Sequence, residues 1–526
     1  MTKTLTLEAL LAALPPSLQI APRIAENPIN ITGIANHNKK IRPGFLFVTQ
    51  RGIERDGHPY IPDAVQRGAA AVIGEDPGAG EGLPVPYFVA SSGREAFAHL
   101  CAAWYGYPSR SMKIVGITGT DGKTTTSNIL YSIFNAAGYK TGMISTVNAV
   151  IGDRTLDTGL HVTTPDADDI QNYLAQMRDA GSTHCVLEVT SHGLAHHRVD
   201  GCSFDVAVVT NITHEHLDLH GSREAYRAAK GRLFEMAAQH VLNGDDVFSF
   251  EYLSQIPAEK KILYSAKKSD ATHLAGASHL GREVRASSIE HAPDSMRFIA
   301  NTGQAAFPIH TPLIGEFNIS NILAAISAAT LLEVPAEAMQ AGIAQLQGIA
   351  GRMERIDAGQ NFLAVVDFAH TPNALANCLR TLRRITRGKL IVAFGCNGER
   401  DVLKRPLMGA VAAELADVVI LTAEDPRRES LSDILDQIES GINNINAINE
   451  SKTNKRIAQG ALRVLRVEDR GEALRAACAM TQAGDTVVAC GKGHEQSMCF
   501  GTTEYPWDDR TAMREAIENR TGSRRL

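Results

Sequence analysis

An α/β protein of three domains is the fold class that the sequence predicts, and three observations carry the prediction. The chain has 526 residues, too many for one ordinary hydrophobic core. Compact apolar runs alternate with helical stretches through residues 113–243 and again through 362–489, the rhythm of parallel sheets with crossover helices. The run at Lys113 also feeds directly into a glycine loop. At 44% hydrophobic and 21% charged, the composition is that of a globular protein.

The first block, residues 1–111, mixes short strand-like runs (Phe45 to Val48, Ala70 to Ile73) with Gly and Pro turns, and predicts a smaller, mixed α/β N-terminal domain. The second, 112–346, opens on Lys113-Ile-Val-Gly-Ile-Thr and continues with Cys185 to Val189, Val206 to Thr210 and Val241 to Asn243. The third, 347–526, offers Phe362 to Asp367, Leu390 to Phe394, Val418 to Thr422 and Thr486 to Ala489. Ile442 to Lys455 is Asn-rich and polar and reads as an inserted loop. No short period repeats, which argues against a solenoid.

Several classes are disfavoured. A net charge of −6 argues against nucleic acid as a partner, which wants a basic surface. Eight cysteines without a CxxC pair suggest neither a zinc ribbon nor a disulfide framework. Glu8 interrupts the apolar stretch in Met1 to Ile20, no cleavage site follows, and no window approaches the roughly 20 apolar residues of a membrane span. A soluble cytoplasmic protein, without membrane association, is the expectation.

Gly116-Ile-Thr-Gly-Thr-Asp-Gly-Lys-Thr-Thr-Thr lies between a strand and a helix. That setting aims backbone N–H groups and the positive end of a helix at an anion. Gly119, Thr120, Asp121, Gly122, Lys123, Thr124 and Thr125 form its tight part, with Lys123 as a point charge and Thr124 placed for a phosphate-bridged Mg²⁺. Residue 117 is Ile, so the spacing departs from GxxxxGK[ST]; the bland alternative is a glycine turn with a solvated lysine. Asp121 is the odd member, because a carboxylate beside phosphates is repulsive unless it points away or assists the metal.

His214-Glu-His216-Leu-Asp218-Leu-His220 nearly matches the HxHxDH string of metallo-hydrolases, but one residue separates Asp218 from His220. Zinc prefers nitrogen and sulfur ligands, whereas Mg²⁺ takes oxygen. A zinc hydrolase would leave the phosphate loop unexplained.

These blocks, read in order, closely resemble the Mur ligase family: GTDGKTTT at 119–126, EVTSHGL at 188–194, TNITHEHLDLHG at 210–221 and AAK at 228–230. DFAHTP at 367–372, GERDxxKRP at 398–406 and GKGHE at 491–495 look like its MurE type. The resemblance covers nearly the whole chain. It implies an N-terminal domain for a uridine-nucleotide substrate, a central P-loop ATPase-like parallel-sheet domain and a C-terminal Rossmann-like α/β domain. It further implies an ATP-dependent ligase of peptidoglycan synthesis, with a UDP-N-acetylmuramoyl-dipeptide and a diamino acid as partners, acting as a monomer.

The same resemblance implies the roles. Lys123, Arg352 and two Mg²⁺ ions neutralise the phosphates of ATP, Asp367 holds the ribose and Asn321 lies near adenine. Glu188 and Thr124 serve one Mg²⁺, and His216 helps hold the second. Lys230, a solvated helix lysine on composition alone, is implied to be carbamylated to N6-carboxylysine and to ligate that second ion. Thr163, Thr164, Thr190, His196 and Arg198 look like contacts to the muramoyl-dipeptide. Asn36 and His37 fall where the family carries Asp-Ser-Arg, and the Arg55-Asp-Gly-His segment remains family-like.

Arg400, Asp425, Arg427, Gly491 and Glu495 are implied for the amino acid. Diaminopimelate-adding members read Asp-Asn-Pro-Arg where this chain has Glu424-Asp425-Pro426-Arg427. Arg427 can fork a distal carboxylate and favours meso-diaminopimelate; Asp425 in place of Asn adds a charge that favours the ammonium of L-lysine or L-ornithine. A folate-polyglutamating ligase, a zinc hydrolase and a non-catalytic descendant of a ligase are the rival readings.

Overall fold

The computed structural model describes residues 3–18, 28–52, 56–156, 163–213, 217–267, 282–292, 294–448 and 462–521. An eleven-stranded sheet forms the centre. Lys113–Thr118 lies between His184–Glu188 and Phe204–Val209, parallel to both, with Glu188 opposite Ile117 and Val209 opposite Thr118. The order of strands reverses across Lys113–Thr118, and the carboxyl ends of parallel strands at such a point open a ligand crevice.

Helices cover both faces. Lys123–Ala136 and Glu316–Leu331 pack Ile129, Ile133, Ile322 and Ala325 against Val115 on one side. Ala167–Asp179 and Arg223–Glu235 pack Ile170, Leu174, Leu233 and Phe234 against Leu187 and Ala207 on the other. Far from the crevice the sheet continues through Arg282–His291, Met296–Asn301 and Ala306–Thr311, which pair antiparallel. Met296, Phe298 and Ala300 point inward while Arg297 and Asn301 are exposed. This alternation marks a half-buried antiparallel strand, and a search for compact apolar runs passes over it.

The third region carries a six-stranded sheet whose strands Leu363–Asp367, Thr486–Cys490, Leu390–Phe394 and Val418–Leu421 are parallel neighbours. One sequence expectation is corrected here. Helix Leu431–Ile448 occupies the first half of the supposed Asn-rich loop, because Ile434, Leu435, Ile438 and Ile442 recur at helical spacing and are buried in the core. Residues 449–455 lie outside the described residues. The N-terminal region is a four-stranded parallel sheet of Gly33–Ala35, Phe45–Val48, Ala69–Gly74 and Tyr87–Val89. All eight cysteines are buried and unbridged, and among the described residues no helix is long and apolar enough to cross a membrane.

Candidate active site

The loop after Lys113–Thr118 is built on two glycines. Gly119 has φ of +149°, and a Cβ there would meet Thr210 Oγ1 at 1.8 Å; Gly122 has φ of +86°, and its Cβ would meet Asn321 Oδ1 at 2.3 Å. Only glycine meets both demands. Lys123 opens the helix and donates to the carbonyls of Gly119 and Thr120 at 3.1 and 2.9 Å, so the ammonium sits inside its own loop.

Glu188, at the end of the neighbouring strand, is fully buried. Its Oε2 accepts from Thr146 Oγ1 at 2.8 Å and Thr124 Oγ1 at 3.2 Å, whereas Oε1 has no hydrogen-bond partner. Burial raises its pKa, with Lys123 opposing. A buried carboxylate oxygen left unpartnered beside a threonine hydroxyl is an oxygen-donor set that fits Mg²⁺.

Arg352, from the third region, reaches the loop: Nη2 donates to Thr124 Oγ1 at 3.2 Å, and the guanidinium lies 4.4 Å from the Phe368 ring centroid. Asp367 ends its strand with Oδ2 accepting from Met353 N–H at 2.6 Å and Oδ1 from Ala369 N–H at 3.0 Å. Burial raises its pKa, and Arg352 opposes. Asp367, Arg352, Asn321 and the 120–125 segment line one cavity of about 300 Å³. Lys230 is buried behind the loop, donating to Gly119 O at 2.8 Å with Nζ 4.5 Å from the Tyr226 ring centroid. His214, His216 and Arg55 lie outside the described residues. Among those that are described, no three His, Cys, Asp or Glu side chains gather as a metal cluster.

A second cavity of about 350 Å³ adjoins the first, sharing Thr163, Thr190, Phe368 and His370 with it. It brings Thr164, His196 and Arg198 into one space with Arg400, Arg427, Gly491 and Glu495. A third, of about 200 Å³, opens between the N-terminal and central sheets and holds Asn36, Arg94, His196 and Arg198.

Three profiles of known families match the chain: the Mur ligase family catalytic domain over residues 30–105, the Mur ligase middle domain over 117–329, and the Mur ligase glutamate ligase domain over 351–493. A UDP-N-acetylmuramyl-tripeptide synthetase of Roseiflexus sp. (strain RS-1) is 41% identical over 93% of this chain and 95% of its own length. The chain belongs to the Mur ligase family. A UDP-N-acetylmuramoyl-L-alanyl-D-glutamate--2,6-diaminopimelate ligase of Geobacillus kaustophilus is 37% identical over 94% of this chain and 96% of its own. A solved structure of an enzyme with that same description superposes with a TM-score of 0.65 at 29% identity, over 99% of this chain and 100% of the other.

Within this Mur ligase the charge around the 424–427 loop differs from the sequence expectation. Asp425 is fully buried and does not line the cavity. Its Oδ1 accepts from Lys492 Nζ at 2.9 Å and Cys499 N–H at 3.0 Å, and Lys492 also pairs with Glu495 at 2.6 Å. Burial alone would lower the Lys492 pKa, but Glu495 and Asp425 outweigh it and raise it. Asp425 thus turns one oxygen to an internal cation that it shares with Glu495, while its Oδ2 is buried without a hydrogen-bond partner.

Glu424 faces the cavity together with Asp401 and Glu495; its Oε2 is buried without a hydrogen-bond partner, and burial pushes its pKa up to about 7 against Lys404 and Arg470. Arg427 adopts φ of +53°, a left-handed conformation that non-glycine residues hold at a cost of about 1–3 kcal/mol, and its Nε has no partner.

Two expectations about the nucleotide end separate. Asn36 lines the third cavity, but His37 turns away and caps a short turn, its Nδ1 accepting from Lys39 N–H at 3.1 Å. Sequence reasoning passed over Arg94, whose Nη1 lies 2.5 Å from His196 Nδ1 and whose buried Nε is unpartnered. Burial, with Arg94 and Arg198 adding, lowers the His196 pKa to about 4, so the ring is neutral at neutral pH. Thr146, Lys492 and Glu424 were passed over as well; Glu424, in the 424–427 string, and Lys492, in GKGHE, lie inside recognisable motifs, whereas Thr146 carried no local signal.

Proposed function

We propose that this chain is an ATP-dependent ligase that joins a diamino acid, with meso-diaminopimelate favoured, to UDP-N-acetylmuramoyl-L-alanyl-D-glutamate in peptidoglycan synthesis. The observation that carries the reading is the adjacency of two cavities: the glycine-built cradle opens, across Thr163 and Thr190, into a space lined by Arg400 and Arg427. A phosphoryl donor, an acidic acceptor and an amino acid can meet there.

Forming an amide from a carboxylate needs a better leaving group than oxide. The acceptor carboxylate attacks the γ-phosphorus of ATP, the bond to the β–γ bridging oxygen breaks, and ADP leaves. The amine then attacks the acyl phosphate, loses a proton and expels phosphate, which carries one oxygen of the original carboxylate. Lys123 and Arg352 neutralise the transferring group, and Thr163, Thr164, Thr190 and Arg198 hold the acceptor; catalysis is positioning and charge. Glu188 and Thr124 would hold a Mg²⁺ ion, and His216 with a carbamylated Lys230 a second, which when bound would draw charge from the phosphate oxygens. Arg94 and Asn36 would face the nucleotide end, in place of the family's Ser and Arg.

Arg427, with an unpartnered Nε, supports a second carboxylate on the incoming amino acid. Glu424 supports the alternative, L-lysine or L-ornithine, because an unpaired carboxyl in the same cavity suits an ammonium. The test is ADP release with the dipeptide nucleotide and each of the three amino acids. Turnover dependent on both partners and fastest with diaminopimelate is expected. Preference for lysine or ornithine overturns the choice of amino acid, and ADP release indifferent to the acceptor overturns the reaction.

A further inference from the structure

Asp121 is held from one domain and reaches into another. Its N–H donates to Asn211 Oδ1 at 3.0 Å, and its carbonyl accepts from Thr210 Oγ1 at 2.6 Å and Asn211 Nδ2 at 3.1 Å. Both backbone polar atoms are thus fixed to the central sheet. The carboxylate crosses to the third region, where Oδ1 accepts from Thr371 Oγ1 at 3.2 Å and Oδ2 from Asn373 Nδ2 at 2.9 Å.

Thr371 caps helix Pro372–Ile385 by accepting from Ala374 N–H at 3.1 Å, which leaves its one hydroxyl proton for Asp121. A carboxylate at this end also faces the positive pole of a 14-residue helix. An amide side chain could accept only one of the two bonds, since its other atom is itself a donor. Asn373, Ala374 and Asn377 of that helix line the same cavity as Gly122 and Asn321. The helix therefore walls the cavity from the third region, and the Asp121 carboxylate is a tie between that wall and the loop.

We propose that Asp121 is a positioning residue that pins helix Pro372–Ile385 onto the phosphate loop and so sets how tightly the cavity closes on its nucleotide. The proposal rests on reading this cavity as the ATP site and deepens it. It accounts for a carboxylate in a phosphate loop: the charge faces a capping hydroxyl and an amide across the domain boundary.

The test titrates ATP at saturating acceptor and diamino acid for D121A, D121N, N373A, N373D and D121N/N373D, with a melting curve for each. Loss of one charge-assisted pair is worth tenfold or more in affinity, so D121A raises KM for ATP by about that factor and changes kcat much less. N373A keeps the Thr371 bond and has the smaller effect. N373D sets two carboxylates against each other and is worst. D121N/N373D exchanges donor and acceptor across the same gap and brings KM back towards wild type, which a general loss of structure would not do. An unmoved KM in D121A, or a double variant no better than the product of its singles, overturns the proposal. Calorimetric binding of ATP alone separates the two claims. Wild-type protein that binds ATP but forms no amide refutes the ligase reading, while the same variants still decide the tie through Kd; no ATP binding at all refutes both.

Discussion

The proposed phosphate cradle and the proposed amino-acid cavity lie side by side but are built differently. In the cradle, position follows from the backbone: Gly119 and Gly122 shape the loop, and Lys123 and Thr124 are delivered by the first turn of the helix it opens. In the amino-acid cavity, charge depends on a partner remote in sequence: Lys492 pairs with Asp425, 67 positions away, as well as with the nearby Glu495. A motif read along the chain therefore captures the local geometry of the cradle. For the second cavity it names the residues but not which of their charges are paired inside the protein.

The largest effect that sharpens this contrast falls on the cradle. Lys123→Ala removes the proposed phosphate cation and Glu188→Gln the proposed Mg²⁺ ligand, and ADP release should drop about 10²–10³-fold in kcat for either. Melting temperatures should barely move for Lys123→Ala, whose ammonium bonds only to its own loop.

On the other side, Lys492→Met leaves Asp425 and Glu495 without their cation, and chemical denaturation should show a loss of about 3–5 kcal/mol. Asp425→Asn keeps an acceptor for Lys492 and for the Cys499 N–H, so it should change the choice of amino acid little. A wholesale switch of preference in Asp425→Asn would show that the charge does reach the ligand and would break the contrast. Arg427→Ala, by losing a charge-assisted contact of about 1.5–3 kcal/mol, should raise KM for diaminopimelate about 10- to 100-fold and affect L-lysine much less.

The same contrast separates what was legible in the sequence from what was not. The parallel strands and the loop were, because their signals are local: compact apolar runs, glycines, a lysine at a helix start. The 431–448 helix was misread in part, since Asn-rich composition masked the apolar stripe at 434, 435, 438 and 442. The alternating strands 282–311 lacked compact runs. Asp121, Asp425 and Arg94 were opaque for one shared reason, that what each does depends on partners in another domain or a remote loop.

A further expected effect is a pH dependence from Glu424. Its carboxyl titrates from the ordinary 4.5 to about 7 in the fold, so the folded protein holds a proton that the unfolded chain has released. Its contribution to stability is thus fully present below pH 4.5 and lost as pH rises through 7. The span, of order 3 kcal/mol, should be flattened in Glu424→Gln when denaturation is followed across that window. The KM for a diamino acid should fall as pH rises through 7 in wild type, as the carboxylate forms, and the step should vanish in Glu424→Gln.

The central claim, that the cradle turns an acid into an acyl phosphate, has a direct isotopic test. UDP-N-acetylmuramoyl-L-alanyl-D-glutamate labelled with ¹⁸O in its reacting carboxylate is turned over with ATP and diaminopimelate, and the released phosphate is weighed by mass spectrometry. One labelled oxygen in each phosphate, with one ADP and one new amide, is the predicted result. Phosphate whose new oxygen comes from solvent water would contradict it.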